Sequence, residues 1–287
     1  MNKKIIVTIF LIMLATSSTM ASAITVKNNG LASTLDFGDV ADSISTPGGN
    51  PTGLAYDSTY LLIADATDYK IYKIDKQGTV ISSFDSPAEG VPGGLACDGI
   101  HIWHSDPINK KIIKIDTTGN VIGSFDTINN LPDYSPTGLT FNDGYLWVSF
   151  APTESKDEKE KGQIIKMNPD DGTFVGSIES PGEGPGGLVF VDEDLYHVDA
   201  GSDKIYKLSI SGDIKKEVSS PGSGPWGLTY DGEYLWNVDT HDHMIYKIKL
   251  PAGTSKTRHN FKLMEIFQYF NAKILQLLNL NFLKNLS

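Results

Sequence analysis

Four aspartates recur at one place in a repeating pattern. Asp65, Asp106, Asp199 and Asp239 each precede a second polar residue by three positions: Asp68, Asn109, Ser202 and Asp242. Oxygen ligands delivered from several loops suit calcium, so a shared cation site is one chemistry this pattern allows. The other is local: an aspartate ahead of a turn accepts backbone N–H bonds from that turn. Recurrence in four units out of five favours the turn role, because a site for one ion needs asymmetry. No cofactor is expected on this reading, and calcium is the ion to test.

The histidines divide into two pairs. His104 and His197 fill equivalent slots where other units carry Ile63, Val148 and Asn237; His241 and His243 flank Asp242, close to Asp239. The second pair could hold a metal, although no H-E-x-x-H and no Ser/His/Asp arrangement of recognisable spacing is present. Trp103, Trp147 and Trp236 read as core. Trp226 takes a slot filled elsewhere by Thr52, Gly93, Thr137 and Gly186, so it is expected on a loop-rich face as a platform for sugar or peptide. Trp226, His241 and His243 are the candidate ligand-binding residues, and no residue is assigned a catalytic role. Cys97 is the only cysteine, which excludes an intramolecular disulfide. It occupies the slot of Tyr56, Phe141, Phe190 and Tyr230 and reads as a small buried hydrophobe.

The elements that must position these residues repeat with them. A Pro-x-Gly-Leu element starts each of five units, and its glycines, Gly53, Gly94, Gly138, Gly187 and Gly227, lie 41, 44, 49 and 40 residues apart. That period, with several short strands per unit, predicts β-propeller blades. In the first unit strand a is Gly53–Asp57, strand b Leu61–Asp65, strand c Ile71–Asp75 and strand d Val80–Phe84. Asp-Gly pairs or lone glycines between them supply the φ > 0 of tight hairpins. Strands a and b are apolar on both faces, as strands stacked between neighbouring blades must be. Lys73, Lys114, Lys166, Lys207 and Lys247 recur in strand c and read as solvated positions with buried stems. The fifth unit stops after strand c, and Val40–Ser45 has the pattern of the missing strand d. An N-terminal strand would therefore close a five-bladed, all-β propeller over residues 34–251, leaving no open edge between first and last blades. In propeller topology the b–c and d–a loops share one face. The third unit departs there: Phe150 replaces the aspartate, and a charged insert, Pro152–Gly162, follows as a surface loop, a lid or a partner contact.

The segments P-T-G-L-A-Y-D (Pro51–Asp57) and I-A-D-A-T-D-Y-K-I-Y-K-I-D (Ile63–Asp75), followed by a glycine hairpin, resemble the NHL-type propeller family. Its relatives are the gluconolactonase-like and streptogramin-lyase-like proteins. The resemblance implies the propeller fold from about Pro47 to Leu250. It also implies an enzymatic alternative, since the lyase and lactonase relatives have metal-assisted sites of carboxylates or histidines.

Outside the repeats, Lys3-Lys4, the apolar run Ile5–Leu14 and Ala21-Ser22-Ala23 read as a signal peptide over residues 1–23, cleaved after Ala23. Without Lys3 and Lys4 the formal charge of −11 becomes −13. An acidic, exported propeller excludes nucleic acid and anionic membrane as its partners. Residues 254–287 lack Gly, Pro and Asp, and carry apolar residues at helical spacing with five Lys/Arg against Glu265. This predicts an amphipathic C-terminal helix that docks on the acidic propeller, touches a membrane surface, or marks a truncated or frame-shifted gene. The function expected is a secreted binding or cell-surface interaction module without catalytic activity, taking a protein, peptide or glycan on its loop-rich face. The alternative is a metal-assisted lyase or hydrolase.

Overall fold

In a computed structural model of the chain, residues 36–127, 131–153 and 160–250 are described. The expected signal peptide, residues 1–23, and the expected C-terminal helix, residues 254–287, lie outside them. The described residues form five antiparallel sheets of four strands arranged as a propeller. Blade 1 comprises β2 (Pro51–Tyr56), β3 (Leu61–Asp65), β4 (Lys70–Ile74) and β5 (Val80–Asp85). Blade 2 comprises β6 (Leu95–Cys97), β7 (Ile102–Asp106), β8 (Lys111–Ile115) and β9 (Val121–Asp126). Blade 3 comprises β10 (Tyr134–Asn142), β11 (Tyr145–Pro152), β12 (Gln163–Met167) and β13 (Phe174–Glu179). Blade 4 comprises β14 (Pro185–Val191), β15 (Asp194–Asp199), β16 (Lys204–Leu208) and β17 (Ile214–Ser219). Blade 5 joins β18 (Pro225–Tyr230), β19 (Tyr234–Asp239) and β20 (Met244–Lys249) to the N-terminal β1 (Val40–Ser45), which pairs antiparallel with β20.

The Pro-x-Gly-Leu glycine has a physical cause at the axis. A Cβ on Gly53, Gly94, Gly138, Gly187 or Gly227 would fall closer than 3.0 Å to the backbone of the next blade, and the series runs round from Gly227 to Leu54. Five inner strands converge so tightly that no side chain fits between them, and the axis is closed even to water. Hydrogen bonds tie the ring: Ser105 Oγ accepts from Gly94 N (2.7 Å) and donates to Thr137 O (2.5 Å), and Ser149 Oγ donates to Gly186 O (2.6 Å). Beyond the ring, on the side of the a–b hairpins, lies a cup of about 150 Å³ lined in part by Cys97, Thr140 and Thr229.

One hydrophobic cluster fills each gap between neighbouring blades. Strand b therefore buries both faces, as in β3 and β7, where every residue is buried. The strand-c lysines differ from the solvated reading. Lys166 Nζ stands 3.9 Å from the Tyr145 ring centroid, Lys247 4.0 Å from Tyr234 and Lys114 4.9 Å from Trp103. Cross-strand register sets each lysine beside a strand-b residue (Lys114 against Trp103, Lys166 against Trp147), so the ammonium rests on aromatic faces.

Candidate functional site

The recurrent aspartates staple two loops each. Asp65 Oδ1 accepts from Thr67 N and Asp68 N (both 2.9 Å), while Oδ2 accepts from Asn50 N (2.9 Å) in the preceding d–a loop. Asp239 repeats this, with Oδ1 on His241 N (2.9 Å) and Asp242 N (2.8 Å), and Oδ2 on Gly224 N (2.8 Å). Asp199 takes Ser202 N and Gly184 N; Asp106 takes Asn109 N and Glu89 N. All four carboxylates are buried. Each is thus engaged with N–H donors of its own blade's face. Phe150, which stands in the aspartate's place in blade 3, is fully buried in the cluster between blades 2 and 3. Among the described residues, no group of three His, Cys, Asp or Glu side chains is placed to hold a metal ion.

The two histidine pairs are placed differently. His243 (φ 53°) holds the left-handed turn position that Tyr69, Lys110 and Asp203 hold in other blades, and its carbonyl accepts from Thr46 N (3.0 Å). His241 stands over Gly224, with Nδ1 3.5 Å from Ser223 Oγ. Both are exposed. His104 and His197 are fully buried. Each bridges a strand-a carbonyl and a d–a loop hydroxyl: His104 meets Gly94 O (3.0 Å) and Ser86 Oγ (2.9 Å), and His197 meets Gly187 O (3.3 Å) and Ser180 Oγ (3.1 Å). Asn237 does the same in blade 5 with Gly227 O (2.9 Å) and Ser220 Oγ (3.2 Å). Where strand b carries Ile63 or Val148 the loop carries Thr46 or Thr127, whose hydroxyls turn to backbone carbonyls instead.

Burial pushes the pKa of His104 and of His197 down to about 4. Unfolded histidine titrates near 6.5, so between these values the unfolded chain binds more protons and stability falls as pH falls. From pH 7 to pH 5 each histidine is expected to remove about 2 kcal/mol of stability. Denaturant unfolding at the two pH values measures this. His104→Asn, which copies the blade-5 solution, should remove about half of the pair's contribution; an unchanged slope in His104→Asn/His197→Asn would refute the assignment.

On the loop-rich face a constant frame carries varied side chains. One residue per b–c turn packs over a d–a loop glycine: Thr67 over Gly49, Ile108 over Gly90 and His241 over Gly224, with Gly201 against Gly184 in blade 4. All four positions are exposed. The Pro-x-Gly slot holds buried small residues in four blades and half-buried Trp226 in the fifth. Val91 (42% exposed) and Ile108 (64%) add an apolar area on blade 2, which sequence reading missed because nothing local marks a turn residue as uncovered. Blade 3 contributes a raised wall where the insert was expected to form a surface loop, a lid or a partner contact. Tyr134, Ser135 and Pro136 pair with Pro152, Ala151 and Phe150, so both strands run on past the face. The wall is anchored to both neighbours, through Lys110 Nζ to Pro132 O and Gly162 N to Gly182 O (3.4 Å). Cys97 lies off this face in its strand-a slot, where burial pushes the thiol up to about 12 and keeps it unreactive at neutral pH.

No protein-family model and no curated protein matches the chain. Among solved structures it is similar to the glutaminyl cyclase of Myxococcus xanthus, with a TM-score of 0.60 and 10% identity over 74% of this chain and 96% of that one. It is also similar to virginiamycin B lyase from Staphylococcus aureus (TM-score 0.45, 22% identity, 72% of this chain and 68% of that one). A nidogen/laminin complex matches with a TM-score of 0.48 and 19% identity, over 72% of this chain and 83% of that one. At such identities the likeness to the cyclase concerns fold and not chemistry. The chain is a β-propeller.

Proposed function

We propose that the protein is an exported, NHL-like propeller that binds a peptide or glycan across its loop-rich face without catalysing a reaction. The observation that carries this reading is the frame itself: buried aspartates and seated glycines hold the loops alike, while the exposed residue they present changes from Thr67 to Ile108 to His241. Such a design separates rigidity from recognition, as binding surfaces built on loops of a rigid scaffold do. Trp226 on blade 5 and the wall of blade 3 stand on non-adjacent blades, and the closed axis makes a floor between them. A lyase or hydrolase would need acids and histidines converging on that floor; the buried aspartates instead turn back on their own loops.

Trp226 also reports on this face, because Trp103, Trp147 and Trp236 are no more than 5% exposed. Acrylamide should quench one tryptophan of the four in the free protein. Titration with a panel of oligosaccharides and extended peptides is expected to find a ligand that shields it, and Trp226→Ala should weaken that ligand about tenfold or more. Ligands that bind without shielding Trp226, or turnover of a panel member, would overturn the proposal.

A further inference from the structure

The charge of the loop-rich face decides between the ligand classes proposed for it. Each of blades 1 to 4 commits a lysine at the outer rim of that face. Lys70 pairs with Asp85 (2.7 Å), Lys111 with Asp126 (3.9 Å), Lys161 with Glu179 (2.7 Å) and Lys204 with Glu217 (2.6 Å). These lysines stand at or just before the head of strand c and meet acids at or near the end of strand d. Cross-strand register supplies the partner directly in two blades, where Lys70 lies opposite Asp85 and Lys111 opposite Asp126. Lys110, in the b–c turn of blade 2, is turned to the Pro132 carbonyl.

The acids inside that rim are left without cations. Asp68 and Asp242 are exposed in the b–c turns of blades 1 and 5, and Glu89 and Glu183 in the d–a loops of blades 2 and 4. Among the described residues, no lysine, arginine or histidine forms an ion pair with any of these four. Two of them are already fixed in place: Tyr72 Oη donates to Asp68 Oδ2 (2.6 Å) and Tyr246 Oη to Asp242 Oδ2 (2.9 Å). A carboxylate anchored in this way has less side-chain freedom to lose when a partner pairs with it. The acids also accompany the apolar spots. Blade 5 presents Trp226 with Asp242, blade 2 presents Val91 and Ile108 with Glu89, and blade 1 adds Asp68 between them. A neutral glycan carries no group that answers these carboxylates, and a small polyamine cannot cover a valine and an isoleucine. A peptide with basic and apolar side chains answers both.

We infer that the ligand is an extended cationic peptide lying across blades 5, 1 and 2, an inference that rests on the reading of this face as the binding surface. Its apolar side chains cover Trp226 and the Val91–Ile108 area, and its lysines or arginines meet Asp242, Asp68 and Glu89. The test titrates the full chain with three extended peptides of one apolar pattern, whose remaining positions are all lysine, all glutamine or all glutamate. Neutral oligosaccharides complete the panel, and acrylamide quenching of Trp226 is the readout. The lysine peptide is expected to shield Trp226 and to bind about tenfold or more tighter than the glutamine peptide. Its affinity should fall about tenfold between roughly 0.05 and 0.5 M salt, as exposed charges are screened. Asp68→Asn and Asp242→Asn keep an acceptor for their tyrosines and should each weaken binding about threefold, the effect of one exposed ion pair. Glu193→Gln, at an exposed position on the a–b hairpin side, removes the same charge far from the face and should leave affinity unchanged. A glutamine peptide or oligosaccharide that shields Trp226 as tightly as the lysine peptide would overturn this inference and leave the binding face standing. So would a loss in Glu193→Gln equal to that in Asp68→Asn. If no member of the panel shields Trp226, the reading of the face falls and this inference with it.

Discussion

A chain beginning at Gly48 is expected to lose its monomeric, cooperative state. β1 pairs with β20 from Val40 against Ile248 to Ser45 against Met244, and its removal leaves the backbone edge of β20 open. Phe37 goes with it; this residue is 4% exposed and lies edge-on to Tyr196 at 5.5 Å, in the gap between blades 4 and 5. Loss of one buried phenylalanine alone costs about 3–5 kcal/mol, a large part of the 5–15 kcal/mol that typically separates folded from unfolded. The exposed edge adds a route to aggregation. Light scattering coupled to size exclusion, with a denaturant melt, decides the matter: a stable monomer would mean the ring does not need β1. The same geometry predicts a rescue. Lys249 pairs with Asp39 and Gly38 as Asp75 pairs with Thr79 and Gly78 in the c–d hairpin of blade 1. Joining Leu250 directly to Phe37, in a permuted chain opened within the blade-3 insert, should therefore recover the fold.

Blade number and closure were legible because they rest on spacing, which tertiary context cannot alter. Five Pro-x-Gly-Leu elements and one missing strand d leave a single economical arrangement. The reason for the glycine was not legible, since it lies in the approach of Gly53 to the next blade's backbone and not in any local turn. The strand-c lysines were misread for a similar cause: Lys166 beside Trp147 depends on cross-strand register. The His–Ser pairing was present in the sequence but scattered between units, with Ser86 ending one repeat and His104 belonging to the next. Only the fold shows that a d–a loop answers to the following blade. The wall of blade 3 was hidden because Phe150 and Tyr134 are equally at home in a strand or under a loop. At the candidate site, the spacing of each aspartate ahead of its turn is visible in the sequence, but the second loop held by each carboxylate is visible only in the structure.

That second loop raises the expected effect of removing an aspartate. One neutral hydrogen bond contributes about 1 kcal/mol net, but Asp239→Ala would strip a buried charged acceptor from Gly224, His241 and Asp242 together. A loss of about 3 kcal/mol is expected for Asp239→Ala and again for Asp65→Ala, because hydrogen bonds to charged groups are stronger and the orphaned donors sit under packed loops. Each aspartate closes loops of its own blade, so the double variant should show the sum within about 0.5 kcal/mol. Calcium discriminates the other chemistry that the four aspartates allow. To enter, it would have to displace N–H donors from carboxylates held in separate blades, so saturating calcium is expected to leave the melting temperature unchanged. A shared ion would instead stabilise the native state by about 2.7 kcal/mol at a hundredfold excess over its Kd. It would also make the two substitutions strongly non-additive. A calcium-dependent rise in melting temperature that disappears in Asp239→Ala would therefore overturn the staple and establish the ion.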